Sequence, residues 1–515
     1  MDLFVKNVRL EDRLSLRDFM AVVRHRARVE FAPAYTERVA KCRSLVEQWV
    51  AEERVIYGTT TGFGSLVSQM IPPQDAETLQ RNIILTHSTS VGEPLDEEPV
   101  RAIMMMVLQA MGRGVSGVRL ELLELYREML NRGVTPVVPR HGSVGYLCAE
   151  AHVAMVAIGG GRAIYNGQTL DGGEALRQAG LTPITLSYKE GLALTNGTLS
   201  PTALAAVAIH DLLNCAKAAD AVAAVSLEAL RGLTKAYDPR IMAVRGQPEQ
   251  TATAKNLLRL LGGSQVVEKY KDSHVQDALS LRCIPQAHGA VKKTLWDALA
   301  VVETELNACC DNPIFFPGED GAEGDALSNG NPDAGFQGIE MDSCCIAAAY
   351  LAKMSERRNT RFLDNHLSGY PSYLVKRPGL NSGLMIPQYS QAGILNEMRI
   401  LATSSVIDNV TTSGNQEDYV SMGYNACMKA VETARLLEYV LAMELMSGFQ
   451  AQQFLEPGLR RGQGTAAVLS LVGSRVPVIE SDTYLYPYLE AIRDLIHSGE
   501  LVQAAEKAAG ALNFR

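Results

Sequence analysis

The sequence predicts an all-α protein that consists mainly of long helices. Apolar residues recur at intervals of three and four over long stretches, the spacing that places them on one face of an α-helix. The alternation of apolar and polar residues that is typical of strands is scarce, and only Arg162–Tyr165 and Thr169–Leu170 show it convincingly. Segments of about thirty residues would form helices about 45 Å long. Together these features favour one elongated helical bundle.

The individual helices follow from local signals in chain order. Arg101–Leu130 has helical periodicity throughout, and Pro201–Gly232 begins with a proline, which is favoured at the first helical position, and is rich in Ala and Leu. The same periodicity predicts five more helices, at Ala290–Ala308, Asp342–Arg358, Met385–Ser404, Ala426–Gly448 and Pro487–Ala511. Because no linker divides the chain, residues 1–515 are predicted to form a single unit. Its globular N-terminal part would cover about 1–200, and the helix bundle with the C-terminal helices about 201–515.

Composition and charge argue against several classes of protein. Of the 515 residues, 47% are hydrophobic and 20% are charged, which is ordinary for a soluble chain. The formal net charge of −9 and the scattered Lys and Arg residues argue against nucleic acid or an anionic membrane as a partner. The N-terminus has no apolar run typical of a signal peptide, and charged residues interrupt the apolar stretches before they reach membrane-spanning length.

Cysteine usage indicates a reducing compartment. The nine cysteines form neither an even disulfide framework nor a CxxC zinc spacing. Cys309–Cys310 and Cys344–Cys345 are adjacent pairs, which bridge only with strain. We therefore expect reduced thiols in a cytoplasmic protein, and no metal site.

Ten short motifs follow one another between residues 57 and 422. They are Tyr57–Gly64 (YGTTTGFG), Gln80–Leu95, Arg113–Glu121, Gly142–Gly145 (GSVG), Lys189–Thr198 (KEGLALTNGT), Val275–Gln286 (VQDALSLRCIPQ), Asp311–Pro313, Ser355–Arg358, Pro378–Met385 (PGLNSGLM) and Ser413–Met422 (SGNQEDYVSM). Any one of them is weak, because a glycine-rich turn or an Asn-Gly pair occurs in many proteins. In this order and over this length, the set resembles the histidine/aromatic amino acid ammonia-lyase family.

The resemblance implies a fumarase/aspartase-like fold of the ammonia-lyase type, a homotetramer with active sites shared between subunits, and a small-molecule substrate. It also implies roles for particular residues. Tyr57 matches the base that removes the β-proton, and Arg282 matches the arginine that binds the substrate carboxylate through its planar guanidinium. Asn196 and Gln276 match residues that orient the substrate, and Glu417 matches a residue that contacts the imidazole in histidine-specific members. Taken singly, Tyr57 or Arg282 would be read as a packing or ion-pairing residue.

The expected substrate pocket keeps part of the family's pattern and departs from it at other positions. His87 stands where histidine-specific members contact the imidazole. Leu279 replaces the second tyrosine of the site, Pro332 replaces an aromatic residue after a Gly-Asn pair, and Tyr419 replaces the histidine after QED. These changes lie in segments that would line the pocket, which suggests a rebuilt site.

The largest departure follows the GSVG motif. There the family has Ala-Ser-Gly, which cyclises and dehydrates into a methylidene-imidazolone, the electrophile of its reaction. This chain has Tyr146, Leu147 and Cys148. Leucine has no β-substituent to lose, and a register shifted onto Cys148 would place Ala149 where glycine is required. We therefore expect the methylidene-imidazolone to be absent, and no other cofactor.

New titratable groups surround the altered tripeptide. Cys148 and His152 are four residues apart and would share one face if Leu147–Ile158 is helical. They are interpreted either as a nucleophile with its base or as a buried thiol beside an incidental histidine, and Glu150 lies between them. Tyr146 would fill the volume that the cofactor leaves.

Three functions follow from this pattern. The first is a cofactor-independent lyase, hydratase or isomerase in which Tyr57 transfers a proton on an already activated, carboxylate-bearing substrate. General acid–base catalysis contributes about 10²–10⁴-fold, which suits such a substrate better than an unactivated amino acid. The second is a conventional ammonia-lyase or aminomutase, and the third a non-catalytic scaffold that retains the fold.

Overall fold

The computed structural model describes residues 5–318 and 323–515, and helices dominate them, which confirms the predicted all-α class. The helices are α1 Leu16–Val23, α2 Pro33–Ala51, α3 Ala76–His87, α4 Glu97–Met111, α5 Leu120–Arg132, α6 Cys148–Ala157, α7 Gly172–Gln178, α8 Glu190–Thr195, α9 Leu199–Ala229, α10 Pro239–Arg245, α11 Pro248–Leu260, α12 Gln265–Tyr270, α13 Leu279–Arg282, α14 Ile284–Glu305, α15 Gly335–Leu363, α16 Asn365–Ser368, α17 Met385–Leu401, α18 Gly423–Ala451, α19 Gln463–Gly473, α20 Tyr486–His497 and α21 Glu500–Ala509.

The strands are short and form small sheets. They are β1 Asn7–Leu10, β2 Arg28–Phe31, β3 Val91–Pro94, β4 Thr135–Pro136, β5 Pro139–His141, β6 Arg162–Tyr165, β7 Gln168–Asp171, β8 Ile314–Phe316 and β9 Asp325–Leu327. Strands β1 and β2 pair in parallel, whereas β3 with β5, β8 with β9, and β4–β6–β7 are antiparallel. The two strands that alternation predicts are β6 and β7, which pair with Arg162 opposite Asp171 and Tyr165 opposite Gln168.

The chain divides into two compact units. Unit 1 comprises Met1–Val207, Leu299–Met341 and Ser404–Met428. Unit 2 comprises Ala208–Ala298, Asp342–Thr403 and Lys429–Arg515. The predicted division at about residue 200 stays a prediction.

Helix α4 forms the centre of unit 1. Every residue from Val100 to Met111 is buried, and α4 packs against α1 and α5. Full burial of each Met, Leu, Ile or Val side chain contributes about 1.5–3 kcal/mol. The one charged residue, Arg101, is satisfied there because its guanidinium donates to the carbonyls of Val22, Val23 and Leu130 at 2.8–3.2 Å.

The predicted helix Arg101–Leu130 is interrupted in the structure. Helix α4 ends at Met111 and α5 begins at Leu120. Between them Gly114 and Gly117 both have φ of +72°, a conformation that favours glycine. A Cβ atom on Gly117 would lie 2.5 Å from Val46 and 2.8 Å from Phe315, so close packing as well as backbone conformation requires glycine there.

Helices α11, α19 and α21 pack against one another in unit 2. Leu257 and Leu260 of α11, Val468 of α19 and Leu501 of α21 are buried at this junction. The predicted helix Pro487–Ala511 divides into α20 and α21 at Gly499, which has φ of +77°.

One helical stretch, Glu190–Ala229, has the length and hydropathy of a membrane span. Its most apolar window is entirely buried inside the structure. Such burial is typical of a core helix.

Candidate active site

A cavity of about 860 Å³ in unit 1 brings together many of the predicted site residues. Those that line it are Tyr57, His87, Tyr146, Leu147, Cys148, Asn196, Pro332, Glu417 and Tyr419. The loop after α2, the end of α3, the turn before α6, the end of α8 and the loop before α18 each contribute part of the lining. The motifs that are separated in sequence therefore converge on one concave site, the usual form of a small-molecule site.

A tightly folded loop holds Tyr57 at the cavity. The backbone N–H of Gly64 donates a hydrogen bond of 2.9 Å to the Tyr57 hydroxyl. Thr60 fixes the start of the loop, because its hydroxyl accepts from the N–H of Ile56 and donates to the carbonyl of Arg54, both at 2.8 Å. Burial raises the pKa of Tyr57, the Gly64 N–H opposes this, and the nearby Glu417 adds to it. Tyr57 is therefore a neutral phenol at neutral pH.

The carboxylate of Glu417 interacts with several polar and titratable groups of the cavity. It accepts a 2.7 Å hydrogen bond from the Thr412 hydroxyl and interacts electrostatically with the phenol of Tyr146. Burial, together with Glu417, raises the pKa of Tyr146 well above its usual range. The same carboxylate affects Tyr57 and His87 electrostatically, so these four groups form one interacting set.

His87 is the last residue of α3 and faces an aromatic neighbour. Its ring centroid lies 5.5 Å from that of Phe63, and its Nδ1 lies 3.2 Å from the Thr86 hydroxyl. Burial lowers the pKa of His87, and the Ile83 carbonyl and Glu417 only partly oppose this. The imidazole is therefore neutral at neutral pH, with one nitrogen as donor and one as acceptor.

Asn196, directly after α8, is held by the backbone. Its Nδ2 donates to the Asn312 carbonyl at 2.8 Å, and its Oδ1 accepts from the N–H of Gly197 at 3.1 Å. Gly197 has φ of +104°, and a Cβ atom there would lie 2.9 Å from the Cys310 carbonyl oxygen. The Asn-Gly pair therefore forms part of the cavity wall and also allows a close backbone contact with Cys310.

Several residues that line the cavity were not singled out from the sequence. The carboxylate of Asp333, next to Pro332, raises the pKa of the nearby Tyr419 phenol. Asp418 and Thr412 also line the cavity. Asp418 falls within the Ser413–Met422 motif and Thr412 directly precedes it. The motif and the residue before it are therefore the feature of the sequence that indicates these two positions.

The cavity carries a negative charge pattern. Its described lining contains the carboxylates of Asp333, Glu417 and Asp418 and neither Lys nor Arg. Such a lining favours the ammonium group of an amino acid and provides acceptors for an imidazole N–H. It lacks a cationic group for a substrate carboxylate within the described part of unit 1.

Three predicted residues lie in unit 2 and do not line this cavity. Gln276 and Arg282 contact each other, since Arg282 Nη1 donates to Gln276 Oε1 at 2.7 Å. Leu279 is 60% exposed.

The altered tripeptide lies at the cavity wall. Leu147 has φ of +81° and ψ of −61°, and the N–H of Cys148 donates to the Tyr146 carbonyl at 3.2 Å. These are the features of a γ-turn, which is a strained conformation for leucine.

Cys148 and His152 have different neighbours in the structure. The Cys148 sulfur contacts Gly142 O at 3.5 Å and Thr89 Oγ1 at 3.9 Å, and burial raises the pKa of the thiol. His152 does not line the cavity, and its pKa is lowered by burial. Participation of the pair as nucleophile and base stays a prediction.

Glu150 of α6 is buried behind the cavity wall. One carboxylate oxygen accepts from the Ser200 N–H at 2.8 Å, and the other has no hydrogen-bond partner among residues 5–318 and 323–515. Burial raises its pKa to about 7, although the hydrogen bond from the Ser200 N–H opposes the shift.

The variant Glu150→Gln is expected to be more stable than the wild type at alkaline pH. A carboxyl with a raised pKa in the folded state contributes stability that is complete below its unfolded pKa and is lost as pH rises through about 7. Glutamine keeps an acceptor for Ser200 and removes this loss. The gain in unfolding free energy should grow from about 1 kcal/mol at pH 5 to about 3 kcal/mol at pH 8. Urea unfolding at both pH values measures it, and an equal difference at both would contradict the assignment.

Comparison with known proteins identifies a family and several relatives. Residues 14–474 match the family model described as aromatic amino acid lyase. The chain is 42% identical to histidine ammonia-lyase of Symbiobacterium thermophilum, over 98% of this chain and 99% of that protein. The histidine ammonia-lyase structure from Trypanosoma cruzi is similar with a TM-score of 0.91 and 34% identity, over 98% and 96% of the two chains. Tyrosine aminomutase from Streptomyces globisporus gives a TM-score of 0.91 and 31% identity, over 98% and 99%. The predicted ammonia-lyase fold and family resemblance are confirmed.

Two predictions are contradicted by these relatives. The main functional prediction was a reaction without the methylidene-imidazolone, and the cofactor was predicted to be absent. Relatives about 40% identical over nearly the whole chain are named histidine ammonia-lyase, which favours the conventional alternative. Residues 146–148 are three positions, whereas the agreement with these relatives extends along almost the entire sequence.

The residues at the tripeptide position nevertheless do not fit the family's precursor. Leu147 carries no β-substituent that can leave, and Ala149 rather than glycine follows Cys148. The family model and the relatives together show that this chain belongs to the aromatic amino acid lyase family, a family of carbon–nitrogen lyases.

Proposed function

We propose that the protein eliminates ammonia from an α-amino acid and that L-histidine is its preferred substrate. The observation that carries the proposal is the cavity of unit 1, where the phenol of Tyr57 lies in one electrostatic set with His87 and the Glu417 carboxylate. The names of the relatives support the same reaction.

The roles of the cavity residues follow from their positions. Tyr57, in its phenolate form and oriented by the Gly64 N–H, accepts the proton from the substrate's Cβ. Glu417 accepts a hydrogen bond from the substrate imidazole, and the neutral His87 offers a further donor or acceptor. Asp333 adds negative charge that attracts the substrate ammonium group.

A homotetramer with shared active sites completes this proposal. The cavity lining includes neither Lys nor Arg in the described residues, so the substrate carboxylate needs a cation from elsewhere. Arg282 of a second copy supplies it, with Gln276 and Leu279 beside it. The part of α15 in unit 2 supports association between copies, because Ile346 and Tyr350 are each more than 40% exposed and lie one helical turn apart.

Helix α17 presents a second apolar surface. Ile386, Tyr389 and Ile400 are each more than half exposed on it.

A cytoplasmic location remains a proposal that rests on cysteine usage.

Ammonia release from a panel of amino acids tests the proposal. Purified protein is given L-histidine, L-phenylalanine or L-tyrosine at equal concentration, and kcat/KM is measured for each. A polar pocket built to hydrogen-bond the substrate ring should favour histidine by at least about 10²-fold. Equal turnover of phenylalanine, or preference for it, would contradict the role given to Glu417 and His87.

Product analysis in the same panel addresses a second candidate, an aminomutase. The similarity to tyrosine aminomutase favours including it. An aminomutase would convert the α-amino acid into its β-isomer, whereas a lyase releases ammonia and an unsaturated acid.

A further inference from the structure

Three potential metal ligands converge in unit 2 from distant parts of the chain. They are Asp211 on α9, Glu438 on α18 and His497, the last residue of α20. One ligand atom from each lies within 4.8 Å of the others, and both carboxylates are buried. No sequence motif joins these residues, so only the fold brings them together.

Glu438 has a hydrogen-bonding atom that the described residues of this cluster leave without a partner. The residue is only 1% exposed, and its Oε1 lies 2.8 Å from Nδ1 of His497. Its Oε2 has no hydrogen-bond partner among the described residues, although buried carboxylate oxygens are normally bonded. Two adjacent buried carboxylates are costly unless a cation lies between them.

Nearby side chains either support a cation or are engaged elsewhere. His210 Nδ1 lies 3.1 Å from Oδ1 of Asp211, the kind of outer contact that orients a ligand. Arg493 is the cation that interacts electrostatically with Glu438. Its guanidinium also binds Glu490 and Asp494, both at 3.2 Å, so acidic groups balance its charge.

We propose that Asp211, Glu438 and His497 bind one divalent transition-metal ion of the Zn²⁺ class. An imidazole nitrogen with two carboxylates suits zinc better than calcium or magnesium, which prefer all-oxygen sites. His497 is partly exposed, which provides access for the ion and a position for a water ligand. Its role is structural, because it would link the parts of α9, α18 and α20 that lie in unit 2.

Zinc titration of the full-length protein tests this site. Chelator-treated wild type, Glu438→Gln and His497→Ala are compared by calorimetry and by thermal unfolding with and without Zn²⁺. The matched control is His366→Ala, which removes an exposed histidine of unit 2. Because the nine cysteines can also bind zinc, the measured quantity is the difference between variants.

The wild type and His366→Ala should each bind one more equivalent of Zn²⁺ than the two ligand variants. They should also gain several degrees in melting temperature on adding Zn²⁺, a gain that Glu438→Gln and His497→Ala lose. His497→Cys, which keeps a zinc ligand, should restore binding. Equal zinc stoichiometry and an equal thermal shift in the wild type and His497→Ala would overturn the proposal, and so would stable folded variants with unchanged affinity.

Discussion

Replacing Tyr57 with phenylalanine is expected to lower kcat for ammonia release by about 10²–10⁴-fold, the usual contribution of a positioned acid–base group. Phenylalanine keeps the ring and removes only the hydroxyl that accepts the Gly64 N–H. The cavity and the fold should therefore remain intact. The measurement is steady-state ammonia release from L-histidine, with KM expected to change far less than kcat.

The pH dependence separates a base from a merely structural tyrosine. Because burial raises the pKa of Tyr57, its reactive phenolate is scarce at neutral pH, and the rate of the wild type should rise as pH increases above 7. The residual activity of Tyr57→Phe should lack this rise. The matched control, Tyr165→Phe in β6, should behave as the wild type. A Tyr57→Phe protein with wild-type kcat would show that another group removes the proton.

Arg282→Ala is expected to be as inactive as Tyr57→Phe, yet the two variants should restore activity when they are produced together. The cavity with Tyr57 belongs to unit 1, and the carboxylate anchor is proposed to come from another copy. In randomly mixed tetramers, about a quarter of the sites combine an intact Tyr57 with an intact Arg282. Ammonia release by the purified mixed tetramers should therefore approach about a quarter of the wild-type value.

A second pair of variants provides the control for mixing. Tyr57 and Glu417 line the same cavity of one chain, so Tyr57→Phe and Glu417→Gln leave every mixed site with a defect. Their mixture should gain nothing over the separate variants. If the Tyr57→Phe and Arg282→Ala mixture also gained nothing, the site would not be shared in this way.

The helical class and part of the cavity could be predicted, because both depend on patterns that can be recognised in the order of the residues alone. Helical periodicity located α9, α14, α15, α17 and α18, and the ordered motifs pointed to Tyr57, His87, Asn196 and Glu417, which the structure brings to one cavity. The interruption between α4 and α5 was missed because two glycines with positive φ lie inside an otherwise helical pattern.

What the sequence missed depends on three-dimensional proximity. Asp333 lines the cavity and raises the pKa of Tyr419, and neither residue suggests the other in sequence. Asp211, Glu438 and His497 come from three helices far apart in the chain. The wrong inference of a cofactor-independent reaction arose differently, since it extended a local change at residues 146–148 to the activity of the whole protein.

Stoichiometric product formation from L-histidine tests the central claim most directly. Purified wild-type protein is incubated with L-histidine, and ammonia and the α,β-unsaturated imidazole acid are quantified over time, with Tyr57→Phe in parallel. We expect the wild type to form both products in equal amounts at a rate far above that of the variant. If folded wild-type protein binds L-histidine but releases no ammonia, the proposed elimination is contradicted.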